Sequence, residues 1–188
     1  MAMRSLKSRC GATAILGLGL VTLVACSGSP KPAASSSSAP PATHAAAAAI
    51  TLTSTAFQDN AVIPKAYTCD ATNGAVSPPL AWSAVPPGTG WIALYVYDNT
   101  GSVLHWIVLN IKPDVTSMAA GSNAGGVEVQ SYLPMCPGTG NTDQYQWTLY
   151  AEPNSWHPPK FGGSYGVDPG QLAAHALGVG SLTGIYGE

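Results

Sequence analysis

Arginine is absent from the chain after residue 9, and cations of either kind are scarce: seven Lys and Arg stand against nine Asp and Glu in 188 residues, a formal net charge of −2. A chain so poor in positive charge is ill suited to nucleic acid, where contacts to phosphate dominate affinity. It would not adhere to anionic headgroups by charge either. The spacings that announce metal or redox chemistry are also missing, since no C-x-x-C occurs and His105, His157 and His175 show no ligand spacing. No internal repeat recurs. The N-terminal apolar run, Ala12 to Ala25, falls short of the roughly 20 residues that a membrane-spanning helix needs.

What the N-terminus does contain is an export signal. Arg4, Lys7 and Arg9 precede the apolar run, which ends in Leu23-Val24-Ala25-Cys26, a small-residue cleavage pattern followed by cysteine. These four residues resemble a bacterial lipobox, in which the cysteine thiol is acylated and becomes the first residue of the mature chain. Residues 1–25 are therefore expected to be a lipoprotein signal peptide and Cys26 a lipid anchor that fixes the chain to the extracytoplasmic side of the cell membrane. Ser27 to Ala49 is almost wholly Ser, Pro, Ala and Gly, with Lys31 and His44 its only titratable groups. Such a segment buries too little apolar surface to offset its ordering entropy, so residues 26–49 read as a flexible tether. Without the signal the balance sharpens: four lysines face nine acids, a formal net charge of −5.

The cysteines shrink in the same way. Cys10 lies in the signal and Cys26 is the acylation site, which leaves Cys69 and Cys136. Two cysteines in an exported domain suggest one disulfide. Residues 50–188 suffice for one well-buried domain and are too few for two of ordinary size.

Along that domain the patterns are those of strands. Ile50 to Ser54 alternates apolar with polar, as does Val127 to Val129, and Gln144 to Tyr150 places Tyr145, Trp147 and Leu149 on one side. Between them lie Pro/Gly turns: Asn73-Gly74, Val85-Pro86-Pro87-Gly88 and Tyr132 to Gly138. The consecutive prolines of Ser77 to Ser83 argue against helix and central strand alike. Asp168-Pro169 offers an N-cap followed by proline at the first helical position, which predicts one short C-terminal helix over Gln171 to Leu177, before Gly178. Leu182 to Tyr186 closes the chain. Trp82, Trp91, Trp106, Trp147 and Trp156 read as core at these spacings rather than as a sugar platform. His157 and His175 read as loop and exposed-helix residues.

The most apolar stretch holds two polar groups. Trp91 to Tyr97 and Leu104 to Ile111 read as central strands covered on both faces, joined by a tight hairpin over Asn99-Thr100-Gly101-Ser102. With the tip at Thr100-Gly101, Val96 pairs with His105 and Asp98 with Val103. That register puts Asp98 and His105 on one face as a diagonal pair roughly 7–8 Å apart, within reach of a bridging ligand. The pair suits a ligand pocket or a buried structural hydrogen bond. A catalytic role would need a nucleophile and an oxyanion-hole element beside it, and Ser102 alone does not supply them.

Several pieces taken together resemble the phosphatidylethanolamine-binding protein family in its bacterial Raf-kinase-inhibitor-like branch. They are Ile63-Pro64 with Tyr67-Thr68-Cys69-Asp70, Ser77-Pro78-Pro79-Leu80 with Trp82, Val85-Pro86-Pro87-Gly88-Thr89, and His105-Trp106 with Asn110-Ile111. Their order and spacing run from about Ile50 to Tyr186. The resemblance implies a mainly β, antiparallel, sandwich-like fold with a large central sheet and a short C-terminal helix. It also implies a small anion pocket built from an aspartate loop, the histidine before tryptophan, and a glycine/proline loop followed by histidine and tyrosine.

Carried over residue by residue, Asp98 matches one of the two family aspartates and His105 the pocket histidine. Leu133-Pro134-Met135-Cys136-Pro137 stands where glycine-proline-cysteine-proline-proline is usual, with a leucine toward the entrance. Anchoring on Tyr145 puts Asp143 where the second histidine belongs, whereas anchoring on Cys136 puts Gln144 there. Neither restores a histidine, and a carboxylate near Asp98 weakens attraction for phosphate.

The sequence thus predicts a non-enzymatic, membrane-tethered binding domain without cofactor or metal. Its site is expected around Asp98, His105, Pro134, Asp143 and Tyr145, for a small ligand, anionic or of phospholipid-headgroup type, or for a partner protein. The other readings left open are an interaction or inhibitor module with a vestigial pocket, and a small hydrolase using His105.

Overall fold

Period-2 alternation of bulky apolar residues dictates the architecture, because each alternating strand has an apolar face to bury. The computed structural model describes residues 46–161 and 164–187. In chain order its strands are β1 (Ala48–Ala49), β2 (Leu52–Thr53), β3 (Ala61–Val62), β4 (Leu80–Trp82), β5 (Thr89–Asp98), β6 (Val103–Ile111), β7 (Ser117–Met118), β8 (Val127–Gln130), β9 (Thr142–Pro153), β10 (Lys160–Phe161) and β11 (Ser164–Tyr165). A single α-helix among the described residues, α1 (Pro169–His175), precedes β12 (Gly178–Gly187). The predicted signal peptide, Cys26 and most of the predicted tether lie outside the described residues.

Seven strands form the large sheet in the order β1-β12-β9-β5-β6-β8, with β3 also on β12. The sheet is mixed rather than wholly antiparallel as expected, since β1 and β3 run parallel to β12. Ala48 and Ala49, which composition assigns to the tether, pair with Gly178 and Val179. Backbone pairing needs no apolar side chain, so composition is blind to it. A second sheet, β2-β4-β7, covers one face. Its central strand β4 arises within the proline-rich stretch, because the prolines stop one residue before Leu80 and leave the ladder donors intact.

Between the sheets, Leu52, Leu80, Trp82 and Met118 pack against Leu94, Val96, Val108, Trp147 and Leu149. On the other face Leu172 of α1 covers Trp91, Ala93, Ile107 and Tyr150. Asp168 Oδ1 accepts from the Gly170 amide at 2.8 Å and caps the helix. With only seven residues, α1 covers part of that face, so Tyr95 and Tyr97 of β5 stay half-exposed where coverage on both faces is expected. Trp82, Trp91, Trp106 and Trp147 are core residues as predicted. Trp156 is half-buried between Trp91 and the exposed ring of His175, and His157 stacks on Trp91.

Candidate functional site

The hairpin begins with Asp98, the last residue of β5, paired with Val103 across the turn as expected. Its Oδ1 accepts hydrogen bonds from the amides of Thr100 and Gly101, both at 2.8 Å, an Asx-type tie that closes the loop. Gly101 is needed because a Cβ there would lie 2.5 Å from Asp98 Oδ2 and 3.8 Å from Asp143 Oδ2. The glycine leaves a gap in which two carboxyl groups meet.

His105 enters by a different route from the one expected. Tyr97 pairs with Leu104 and Val96 with Trp106, so the register shifts and His105 is the extra residue of a bulge rather than the partner of Val96. The bulge leaves His105 on the side of Tyr145, whose ring it meets edge-on at a centroid distance of 5.1 Å. The His105 carbonyl accepts from the Leu133 amide at 2.7 Å, and Nδ1 lies 2.9 Å from the Leu133 carbonyl. A carbonyl can only accept, which places a proton on Nδ1.

Tyr145 of β9 stands directly opposite Asp98 in the sheet and is wholly buried. Its hydroxyl forms no well-shaped hydrogen bond among the described residues, the Cys136 backbone being placed for a weak one at most. Burial, then the charges of Asp98 and Asp143, push the Tyr145 phenol upward. Two residues earlier, and therefore on the same face, is Asp143; Gln144 points to the opposite, exposed side. Asp143 is 8% exposed. Its carboxyl is held above the usual range by burial first, then by the charge of Asp98 and a hydrogen bond shared with it, with His105 opposing. Two carboxyls in contact hold a proton more readily than one alone.

These groups border an open cavity of about 450 Å³. Asp98, Gly101 and Asp143 line it, together with Cys136, Asn141 and Thr142. Of the predicted site residues, Asp98 and Asp143 reach the cavity wall, whereas His105 and Tyr145 stand behind it. Pro134, half-buried in the neighbouring loop, contributes no wall, and Leu133 turns outward at 44% exposure instead of closing the entrance. Gly101, Asn141 and Thr142 were not singled out by sequence reasoning. The signal for Gly101 was the Asp-Asn-Thr-Gly turn itself; nothing local marks the other two, Thr142 arriving through the long pairing of β9 and Asn141 through the turn closed by its amide on the Gly138 carbonyl.

Among the described residues no lysine or arginine lines the cavity, and the Lys65 ammonium is 3.3 Å from Asp70 elsewhere. Among the described residues no three His, Cys, Asp or Glu side chains converge as metal ligands. The cysteines expected to pair do so: Cys69 and Cys136 form a disulfide that ties the loop after Leu133 to the Thr68 segment.

Residues 53–187 match the family model described as phosphatidylethanolamine-binding protein. A Mycobacterium tuberculosis protein described as a lipoprotein, LppC, is 39% identical over 150 residues, covering 73% of this chain and 72% of that one. A UPF0098 protein of Mycobacterium bovis is 37% identical over 197 residues, 93% of each chain. The crystal structure of a phosphatidylethanolamine-binding protein homologue from Chlamydia trachomatis superposes with a TM-score of 0.61 at 30% identity, over 74% of this chain and 98% of that one. Escherichia coli YbcL shares the fold, with the same TM-score at 24% identity and the same coverage. With the mixed sheet, the single short helix and the hairpin site already in place, the chain belongs to the phosphatidylethanolamine-binding protein family.

Proposed function

We propose that the chain is a lipid-anchored, extracytoplasmic binding protein whose pocket takes a small ligand through a protonated amine or another donor, rather than through bare phosphate. The anchoring half of this reading draws on the export signal, on Leu23-Val24-Ala25-Cys26 and the Ser/Pro/Ala-rich tether, and on the likeness to a relative described as a lipoprotein. In it, residues 1–25 are removed, Cys26 is acylated and the tether displays the domain.

The binding half rests on one observation, the contact of the Asp98 and Asp143 carboxyls at the cavity wall with no lysine or arginine among the described residues that line it. A phosphate about 4 Å from a carboxylate meets a repulsion of about 4 kcal/mol at an effective dielectric of 20. One neutral hydrogen bond returns only about 1 kcal/mol. An ammonium in the same place reverses the sign. Binding is favoured over catalysis because Asp98 is committed to two turn amides and His105 to a main-chain carbonyl, ties that position groups rather than prime a nucleophile.

Calorimetric titration of the full chain with ethanolamine and with inorganic phosphate tests the proposal. Ethanolamine should bind saturably and Asp143→Asn should weaken it by about tenfold or more. Phosphate binding as tightly as ethanolamine would contradict it. A protein-interaction reading draws on the exposed Leu133 and on Val103, 40% exposed at the cavity rim. It gains if neither small molecule binds.

A further inference from the structure

The face of the large sheet turned away from the carboxyl pair carries an open groove. Alternation places Asp98, Tyr145 and Trp147 on one face, and Tyr97, Gln146 and Thr148 on the other. Strand register sets these in rows across three strands. Tyr97 pairs with Gln146, which pairs with Thr183 of β12; Tyr95 pairs with Thr148, which pairs with Ser181. Each row therefore runs from an aromatic ring to an amide or hydroxyl and on to a hydroxyl. The Tyr95 and Tyr97 rings lie 6.1 Å apart at 25°, close to parallel. Tyr150 closes one end and Pro169 of α1 forms a wall, enclosing a groove of about 350 Å³.

The groove's chemistry is unusual for the solvent face of a sheet, which ordinarily carries charged side chains. Among the described residues no charged side chain lines this one. The Asp168 carboxylate, which acts on the Tyr95 phenol, is already committed to capping α1. What remains are ring faces beside amides and hydroxyls, groups that both donate and accept. A charged ligand gains nothing here. An anionic membrane surface would need cations that are absent, and a tight protein contact would be centred on an apolar core that polar rows interrupt. A neutral sugar is complementary on both counts: its C–H face lies on a tyrosine ring as apolar surface, and its hydroxyls meet amide and hydroxyl partners.

From this arrangement we infer that the groove over Tyr95, Tyr97 and Gln146 binds a neutral oligosaccharide, independently of the carboxyl cavity on the opposite face. The two rings give subsites for consecutive sugar units, and the Gln146 and Thr148 side chains read their hydroxyls.

The test is calorimetric titration of the full chain, held in a sugar-free detergent, with maltohexaose, cellohexaose and mannohexaose. At least one should bind saturably at millimolar concentration or below. Tyr97→Ala and Gln146→Glu should each weaken it about tenfold or more, roughly 1.4 kcal/mol, while Asp143→Asn leaves it unchanged. Gln146→Glu alters a half-exposed position, so it keeps the test valid if Tyr97→Ala does not fold. The inference is overturned if none of the three binds, if binding survives both variants, or if sedimentation shows a dimer that Tyr97→Ala dissolves, since a second copy would then occupy the groove.

Discussion

Glu152 of β9 is fully buried opposite Trp91, and neither of its carboxyl oxygens has a hydrogen-bond partner among the described residues. Burial pushes its pKa up to about 7 from 4.5. The folded chain then binds more protons than the unfolded chain between those values, so stability falls as pH rises through that window and levels off above it. Asp143, also raised, acts in the same direction. Thermal melts should give a higher Tm at pH 5 than at pH 8. Glu152→Gln should flatten the difference and gain up to about 3 kcal/mol at pH 8; a Tm that climbs with pH would refute this. At the same scale, the choice between Asp143 and Gln144 was open in the motif alignment. Alternation with Tyr145 and Trp147 puts Asp143, not Gln144, on the cavity face, a signal already present in the sequence.

Among the elements, the β5–β6 hairpin was the most legible, because two apolar runs and a polar turn are local features. Its bulge at His105 was not. A bulge is a property of pairing, and whether His105 or Trp106 meets Val96 depends on what the neighbouring strands and the Leu133 loop accept. The helix was readable from its cap for the same reason that the edge strand at Ala48 was hidden: a cap is written in side chains, whereas edge pairing is written in backbone. The hairpin predicts a sharp effect of Gly101→Ala. The new methyl group would press on Asp98 Oδ2, so the carboxyl pair must part or the turn must shift. We expect a stability loss of about 1–3 kcal/mol in denaturant titration together with loss of ethanolamine binding; unchanged binding would mean that the pair is not the site.

For the molecule as a whole, the sandwich-like, mainly β architecture followed from strand patterns and the family resemblance. The mixed edge and the partial cover by α1 did not, since both depend on how far short elements reach. The disulfide links residues 67 apart in sequence and fastens the loop that holds His105 to the remainder of the domain. In the chain-entropy description, closing a loop of that length contributes about 4 kcal/mol. Reduction should lower Tm and, by freeing the Leu133 carbonyl from its fixed place, weaken ligand binding. A Tm indifferent to reductant would show that the loop is held by its other contacts.

The carboxyl at position 143 is expected to turn the pocket away from phosphate. Phosphate titrated into the wild-type chain and into Asp143→His, followed by phosphorus NMR, tests it directly. The wild type should show no saturable binding, with a gain of about tenfold or more once a histidine replaces the carboxylate. Equal phosphate binding by both chains would contradict it.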